Sequence, residues 1–153
     1  MADRVLFELV TPERLLVSRE VEMVVVPGTE GNFGVLPGHA PFISTIRPGT
    51  IDIYEGRTIV EQIFVVGGIA EVTPDHCTVL ADEAMAPDSL DRNALDAELT
   101  EVEGNLPSLR EQVTRAQGTD RERLLTELHR LERQQSIARA KLQALQGLPE
   151  ISR

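Results

Sequence analysis

The sequence predicts two parts: an antiparallel β-sandwich or barrel over residues 1–87, then an antiparallel α-helical hairpin over residues 88–153. Three observations carry this. Short β-branched and aliphatic runs in the first part are punctuated by glycine and proline at roughly the 8–12-residue spacing of all-β domains. Around Pro87-Asp88-Ser89 the composition changes to that of a linker and a helix start. Beyond it, the apolar residues recur in alternating steps of four and three.

The strands are justified in order. VLFELVT (5–11) and RLLVSREVEMVVVPG (14–28) are rich in residues that suit a pleated surface and end at turn formers. GTEGNFG (28–34) has the glycines of a phosphate loop. It lacks the Lys-Ser/Thr tail and a following helix, and Glu30 would repel phosphate, so it reads as a turn between strands. The stretch GNFGVLPGHAPFIS (31–44) cannot be a helix interior, because Pro37 and Pro41 lack a donor and Gly31, Gly34 and Gly38 loosen the backbone. It reads as a shaped loop. GTIDIYEG (49–56) alternates apolar and polar residues. Residues 58–84 read as three short strands, divided at Gly67-Gly68 and at Thr73-Pro74-Asp75. The unbroken apolar runs Met23 to Val26 and Ile63 to Val66 suggest strands covered on both faces.

In the second part, Asp88 or Ser89 is the expected N-cap. Leu95, Leu99, Val102, Leu106, Leu109 and Val113 form one seam, which ends at Gln117-Gly118. Thr119 with Glu122 reads as a capping box. Leu124, Leu128, Leu131, Gln135, Ala138, Leu142 and Leu145 form the facing seam, and Gly147 and Pro149 supply the stop. Pro107 lies inside the first pattern and predicts a kink or break, at a cost of ~3 kcal/mol. A two-helix hairpin has one seam and no second layer, so it is expected to lie on the sandwich or to pack on a partner.

Composition excludes some function classes. The net charge is -10, and residues 1–87 carry 13 acidic against 5 basic side chains. This opposes contact with nucleic acid or anionic lipid, which recruit Lys and Arg. The start MADRVLFEL lacks the pattern of a signal peptide, and no run approaches the ~20 apolar residues of a membrane span. Membrane association is therefore expected only through another protein. Cys77 is alone, which leaves no internal disulfide or cysteine-based metal site.

Candidate chemistry is sparse. His39, His76 and His129 show no metal-ligand spacing, and adjacent His76 and Cys77 should point to opposite faces of a strand. A small hydrolase or isomerase using His39 with Glu30 or Asp75 is one rival reading, but no matching nucleophile stands out. No catalytic, cofactor-binding or metal residue is assigned. The arginines at 121, 123, 130, 133 and 139 either face an acidic partner or form a solvated face with Glu127 and Glu132.

The segments GTEGNFGVLPGHAPFISTIRPGTI (28–51) and VVGGIAEVTPDHCTVLADEA (65–84), followed by a helical hairpin, resemble the epsilon subunit of F-type ATP synthases. The resemblance implies a β-sandwich of about ten strands that grips the gamma subunit and stands on the ring of c subunits. It implies a non-catalytic rotor subunit, without cofactor, that couples proton transport to ATP synthesis. Glu30, Gly31, Asn32 and Phe33 match the family's ring-facing turn, where the family often has an acidic residue in place of Asn32. Thr11, His39, Ser44 and Thr78 match positions facing gamma.

In the family the hairpin is the regulatory part. It folds down, or extends into the alpha/beta catalytic head and inhibits ATP hydrolysis. Arg121, Arg123, Arg130, Arg133 and Arg139 would there meet acidic residues of beta. ATP-binding members carry Ile/Leu-Asp-x-x-Arg-Ala at the first helix start. Here LDRNAL (90–95) keeps Asp91 but has Ala94 for the arginine and Leu95 for the alanine. That departure implies weak or absent ATP binding, against a second rival reading in which nucleotide stabilises the hairpin. The implied location is the cytoplasmic face of a bacterial inner membrane, peripheral and held by partners.

Overall fold

The computed structural model describes residues 4–146, which fall into two units, 4–89 and 90–146. The first unit has eight strands: β1 (Val5–Val10), β2 (Leu15–Val21), β3 (Met23–Gly28), β4 (Gly31–Val35), β5 (Phe42–Ile46), β6 (Gly49–Glu55), β7 (Thr58–Val72) and β8 (His76–Met85). A short 3-10 turn, Pro87–Ser89, follows.

Strand pairing traces a sandwich of two layers that share β7. One runs β2-β1-β8-β7-β5 and the other β4-β3-β6-β7. The first half of β7 pairs with β6, and the second half, from Gly68, pairs with β5. Gly67 and Gly68 make this bend possible. Both have positive φ (64° and 125°). A Cβ on Gly68 would lie 2.0 Å from the Leu80 carbonyl oxygen, so only glycine fits against β8 there.

Inward side chains of both layers meet in one aliphatic core. Val5, Phe7, Leu9, Cys77 and Val79 come from one layer, and Val24, Val26, Ile51, Ile53 and Val65 from the other. Phe64 and Val66 are buried as well, so the run Ile63 to Val66 is covered on both faces, as its lack of alternation predicts. The run Met23 to Val26 is not: Val24 and Val26 are buried in the core, while Met23 and Val25 on the other face are only half-buried.

Several expectations need correction. Eight strands are described, where the resemblance implies about ten. The stretch 31–44 is not one loop. β4 pairs with β3 in register, Val24 opposite Val35, and β5 pairs with β7, so only residues 36–41 remain irregular between the two. Residues 14–28 divide into two strands at Glu22, and 58–84 holds two strands rather than three, because the glycine pair bends β7 instead of ending it. One pair, β1 with β8, is parallel.

The second unit is an antiparallel hairpin of α1 (Arg92–Arg115) and α2 (Gly118–Gln146). Val102, Leu106, Leu109 and Val113 pack against Leu128 and Leu131, and Leu95 packs against Ala138 and Leu142. The predicted seams therefore face each other. α1 runs unbroken through Pro107. The proline ring is exposed, while Leu106 and Leu109 beside it are buried, so seam packing outweighs the missing backbone bond. The α1 N-cap is Asp91, not Asp88 or Ser89: its carboxylate accepts from the Ala94 N–H at 3.2 Å. Ser89 instead donates to the Ala86 carbonyl within the 3-10 turn. Among the described residues no capping bond joins Thr119 and Glu122; the Glu122 carbonyl accepts from the Thr126 hydroxyl. The expected stop at Gly147 and Pro149 lies outside the described residues.

Candidate functional site

Three surfaces carry the candidate residues. The first is the β3–β4 hairpin tip. Register pairs Gly28 with Gly31, which leaves Thr29 and Glu30 as a two-residue turn, with Glu30 exposed. Gly31 adopts φ 132°, a backbone region that glycine enters freely. The Thr29 N–H donates to the Thr45 carbonyl at 3.0 Å, and the two threonine hydroxyls are 2.8 Å apart. Phe33 stands edge-on to Phe42, with ring centroids 5.1 Å apart. Asn32 accepts a hydrogen bond from Arg47 at 2.5 Å.

The second surface is the outward face of the β2-β1-β8-β7-β5 layer. Register partners run straight across it as Leu15–Val10–Leu80–Ile69–Thr45. Leu15, Leu80 and Ile69 are 53%, 58% and 50% exposed, so this is an uncovered apolar row. The next row is Ser18–Glu8–Thr78–Glu71–Ile43. Thr78 thus sits half-buried between two carboxylates, beside the apolar row.

The other predicted contact residues are less available. Thr11 is 7% exposed and closes the β1–β2 turn, its backbone exchanging hydrogen bonds with Arg14 at 2.9 and 3.2 Å. The Ser44 hydroxyl donates to the Thr45 carbonyl. His39 lies in the 36–41 loop with Nδ1 2.7 Å from the Ala40 carbonyl and its ring near Phe42. The structure brings His76, not His39, to Asp75. The Asp75 carboxylate accepts from Thr73 and lies 2.9 Å from His76 Nδ1, and these contacts hold its pKa below the ordinary carboxylate range. His76 and Cys77 point to opposite faces, and burial pushes the Cys77 thiol up to about 12. Among the described residues no three His, Cys, Asp or Glu side chains gather as a metal site. No described helix is long and apolar enough to cross a membrane.

The third surface is the hairpin. Arg130 makes a two-pronged pair with Glu127 at 3.0 and 2.6 Å, and Arg123 lies 3.8 Å from Asp120. Arg139 on α2 reaches Glu103 on α1, whose Oε2 also accepts from Gln135 at 2.9 Å. These two donors hold the Glu103 pKa below its usual range. Among the described residues, Arg121 and Arg133 take part in no ion pair. Asp91 is occupied as a cap by the Ala94 backbone, and Leu95 fills the seam against Ala138 and Leu142. Position 94 lends only its backbone N–H to this cap, and position 95 carries a buried leucine.

Sequence reasoning missed two features. The apolar row announces itself through Leu80, which is out of phase with the buried Cys77, Val79 and Ala81. Arg47 is the only arginine or lysine between Arg19 and Arg57, yet its partners lie 15 to 19 residues away.

The β-sandwich domain of ATP synthase Delta/Epsilon chains matches residues 4–87. The ATP synthase epsilon chain of Rhodospirillum rubrum is 52% identical over 117 residues, spanning 76% of this chain and 87% of that one. That of Rhodospirillum centenum is 54% identical over 115 residues (74% and 76%). That of Chelativorans sp. is 44% identical over 132 residues (86% and 96%). A chain of the Euglena gracilis mitochondrial ATP synthase OSCP/F1/c-ring assembly shares the fold, with a TM-score of 0.72 at 22% identity, covering 95% of this chain and 83% of that one. With the sandwich matched over its whole described length and the likeness to the bacterial relatives running on into the hairpin, the chain belongs to the family of ATP synthase epsilon chains.

Proposed function

We infer that this chain is the central-stalk subunit of a proton-translocating F-type ATP synthase, performs no chemistry itself, and links the gamma subunit to the ring of c subunits. Its two domains, 1–87 and 88–153, divide the work. The sandwich transmits rotation, and the hairpin restrains ATP hydrolysis by the alpha/beta head. Attachment to the cytoplasmic face of the bacterial inner membrane is peripheral and runs through these partners.

The observation that carries this reading is the uncovered row Leu15–Val10–Leu80–Ile69, flanked by Glu8 and Glu71 around Thr78. It suits a shaft that presents an apolar strip bordered by basic groups. Transmission of torque needs a stiff body. The shared strand β7 and the single core joining both layers favour one. The tip Glu30-Gly31-Asn32-Phe33 is the part offered to the ring, while His39 borders the shaft contact and Thr11 supports its turn; Ser44, opposite the buried Ala70, lies on the other face of β5 from Ile43 and Thr45 and bears on that contact only indirectly.

In the hairpin, Asp91 caps the first helix, and Arg121 and Arg133 are available to acidic groups of the head. Arg123, Arg130 and Arg139 first give up their partners Asp120, Glu127 and Glu103. Deleting residues 88–153 and reassembling the enzyme tests the reading. Raised ATP hydrolysis with proton pumping intact is expected. Loss of pumping with unchanged hydrolysis would move regulation away from the hairpin.

A further inference from the structure

Arg47 lies in the turn between β5 and β6, and its guanidinium reaches back across the tip end of the β3–β4 hairpin. Nη1 donates to the Gly28 carbonyl on β3 and Nη2 donates to Asn32 Oδ1 on β4, each at 2.5 Å. The Arg47 backbone N–H also donates to the Pro27 carbonyl at 3.0 Å. Pro27–Asn32 and Gly28–Gly31 are the last two rungs before the tip, so one planar fork ties both strands just below Thr29 and Glu30.

A guanidinium has donors only, and therefore it takes the oxygen side of the Asn32 amide. The neutral Asn32 amide thus serves as the acceptor without adding a second carboxylate to the turn. Among the described residues no ion pair engages Glu30, and it remains the only acidic side chain from residue 28 to 33. The Thr29–Thr45 contacts brace the other side of the same turn.

We propose that Arg47, acting through Asn32 and Gly28, is a positioning residue that fixes the turn presenting Glu30 to its partner. This rests on the reading of that tip as the ring-facing contact. A lysine would not replace it, since a single ammonium on a flexible stem does not span both acceptors with fixed geometry.

The test uses the assembled enzyme in inverted vesicles, with Arg47→Ala, Arg47→Lys, Asn32→Ala and Glu30→Gln. Two quantities are read: protons pumped per ATP hydrolysed, and amide exchange at Thr29 in the purified chain. Arg47→Ala is expected to lower pumping severalfold while the chain stays folded and still binds gamma, and Lys is expected to restore little. Thr29 exchange should rise at least roughly tenfold, since both charge-assisted hydrogen bonds of the fork are lost. Asn32→Ala, which removes one end of the bridge, should show the same direction more weakly. If Glu30→Gln lowers pumping while Arg47→Ala changes neither quantity, the positioning role is overturned. If Arg47→Ala frees the Thr29 amide while Glu30→Gln leaves pumping unchanged, the ring-facing reading fails instead.

Discussion

Replacing Leu80 with aspartate tests the shaft-binding face most directly. Leu80 lies at the centre of the uncovered row, 58% exposed, next to Ile69 at 50% and across Val10 from Leu15 at 53%. Full burial of a Leu or Ile side chain is worth about 1.5–3 kcal/mol. Roughly half of that remains unclaimed at each position, so docking gains about 1 kcal/mol per side chain. An aspartate forfeits this gain and sets an unpaired carboxylate against an apolar surface, adding about 1–3 kcal/mol. The expected loss of about 2–4 kcal/mol corresponds to a roughly 30- to 700-fold weaker Kd. Leu80→Ala should lose only about fivefold. Isothermal titration of the purified chain into a gamma-containing subcomplex measures both. Leu80 points away from the core, so the thermal midpoint should correspond to a stability change within about 0.5 kcal/mol. Binding by Leu80→Asp at wild-type affinity would refute the face as the shaft contact. A large loss of stability would refute the claim that Leu80 is uncovered.

Three further outcomes are expected. Gly68→Ala should unfold the sandwich, costing more than about 3 kcal/mol by urea titration, because a Cβ there meets the Leu80 carbonyl oxygen at 2.0 Å in a left-handed backbone. Glu103 has a folded pKa depressed chiefly by Gln135 and then by Arg139. The stability it lends the hairpin is therefore complete above the unfolded glutamate value of about 4.3 and is lost as pH falls through the lower folded value. Helicity followed by circular dichroism should show this acid-side loss, and Glu103→Gln should remove that part of the profile. The Cys77 thiol, fully buried and pushed up to about 12, should resist alkylation at pH 8 until denaturant is added. Rapid labelling of the folded chain would contradict its place in the core.

The helical hairpin was legible because its signal is local. Each seam residue from Leu95 to Leu145 is set by a period of 3.6 along one helix, and two such seams satisfy each other whatever lies elsewhere. Even Pro107 did not mislead about the seam, only about helix continuity, since the cost of one missing bond is offset by the packing of Leu106 and Leu109. The Asp91 cap was missed because three candidate side chains stand within four residues, and backbone geometry alone selects among them.

By itself the sequence determined that a β-rich aliphatic part precedes a leucine-seamed hairpin, that the first part is acidic, and that residues 28–51 bear a family's mark. Tertiary structure decided what depends on partners far along the chain. Within 31–44 the glycines and prolines left room for two strands, formed because Val35 and Ile46 find places in the core. The pair Gly67-Gly68 became a bend rather than a turn because β8 runs past it. Leu80 joined Val10 and Ile69 into one exposed row only through strand register, and Arg47 met Asn32 only where two turns converge. Strand pairing joins residues that no local period relates, so which side chains share a face is fixed by the register and not by the order of residues.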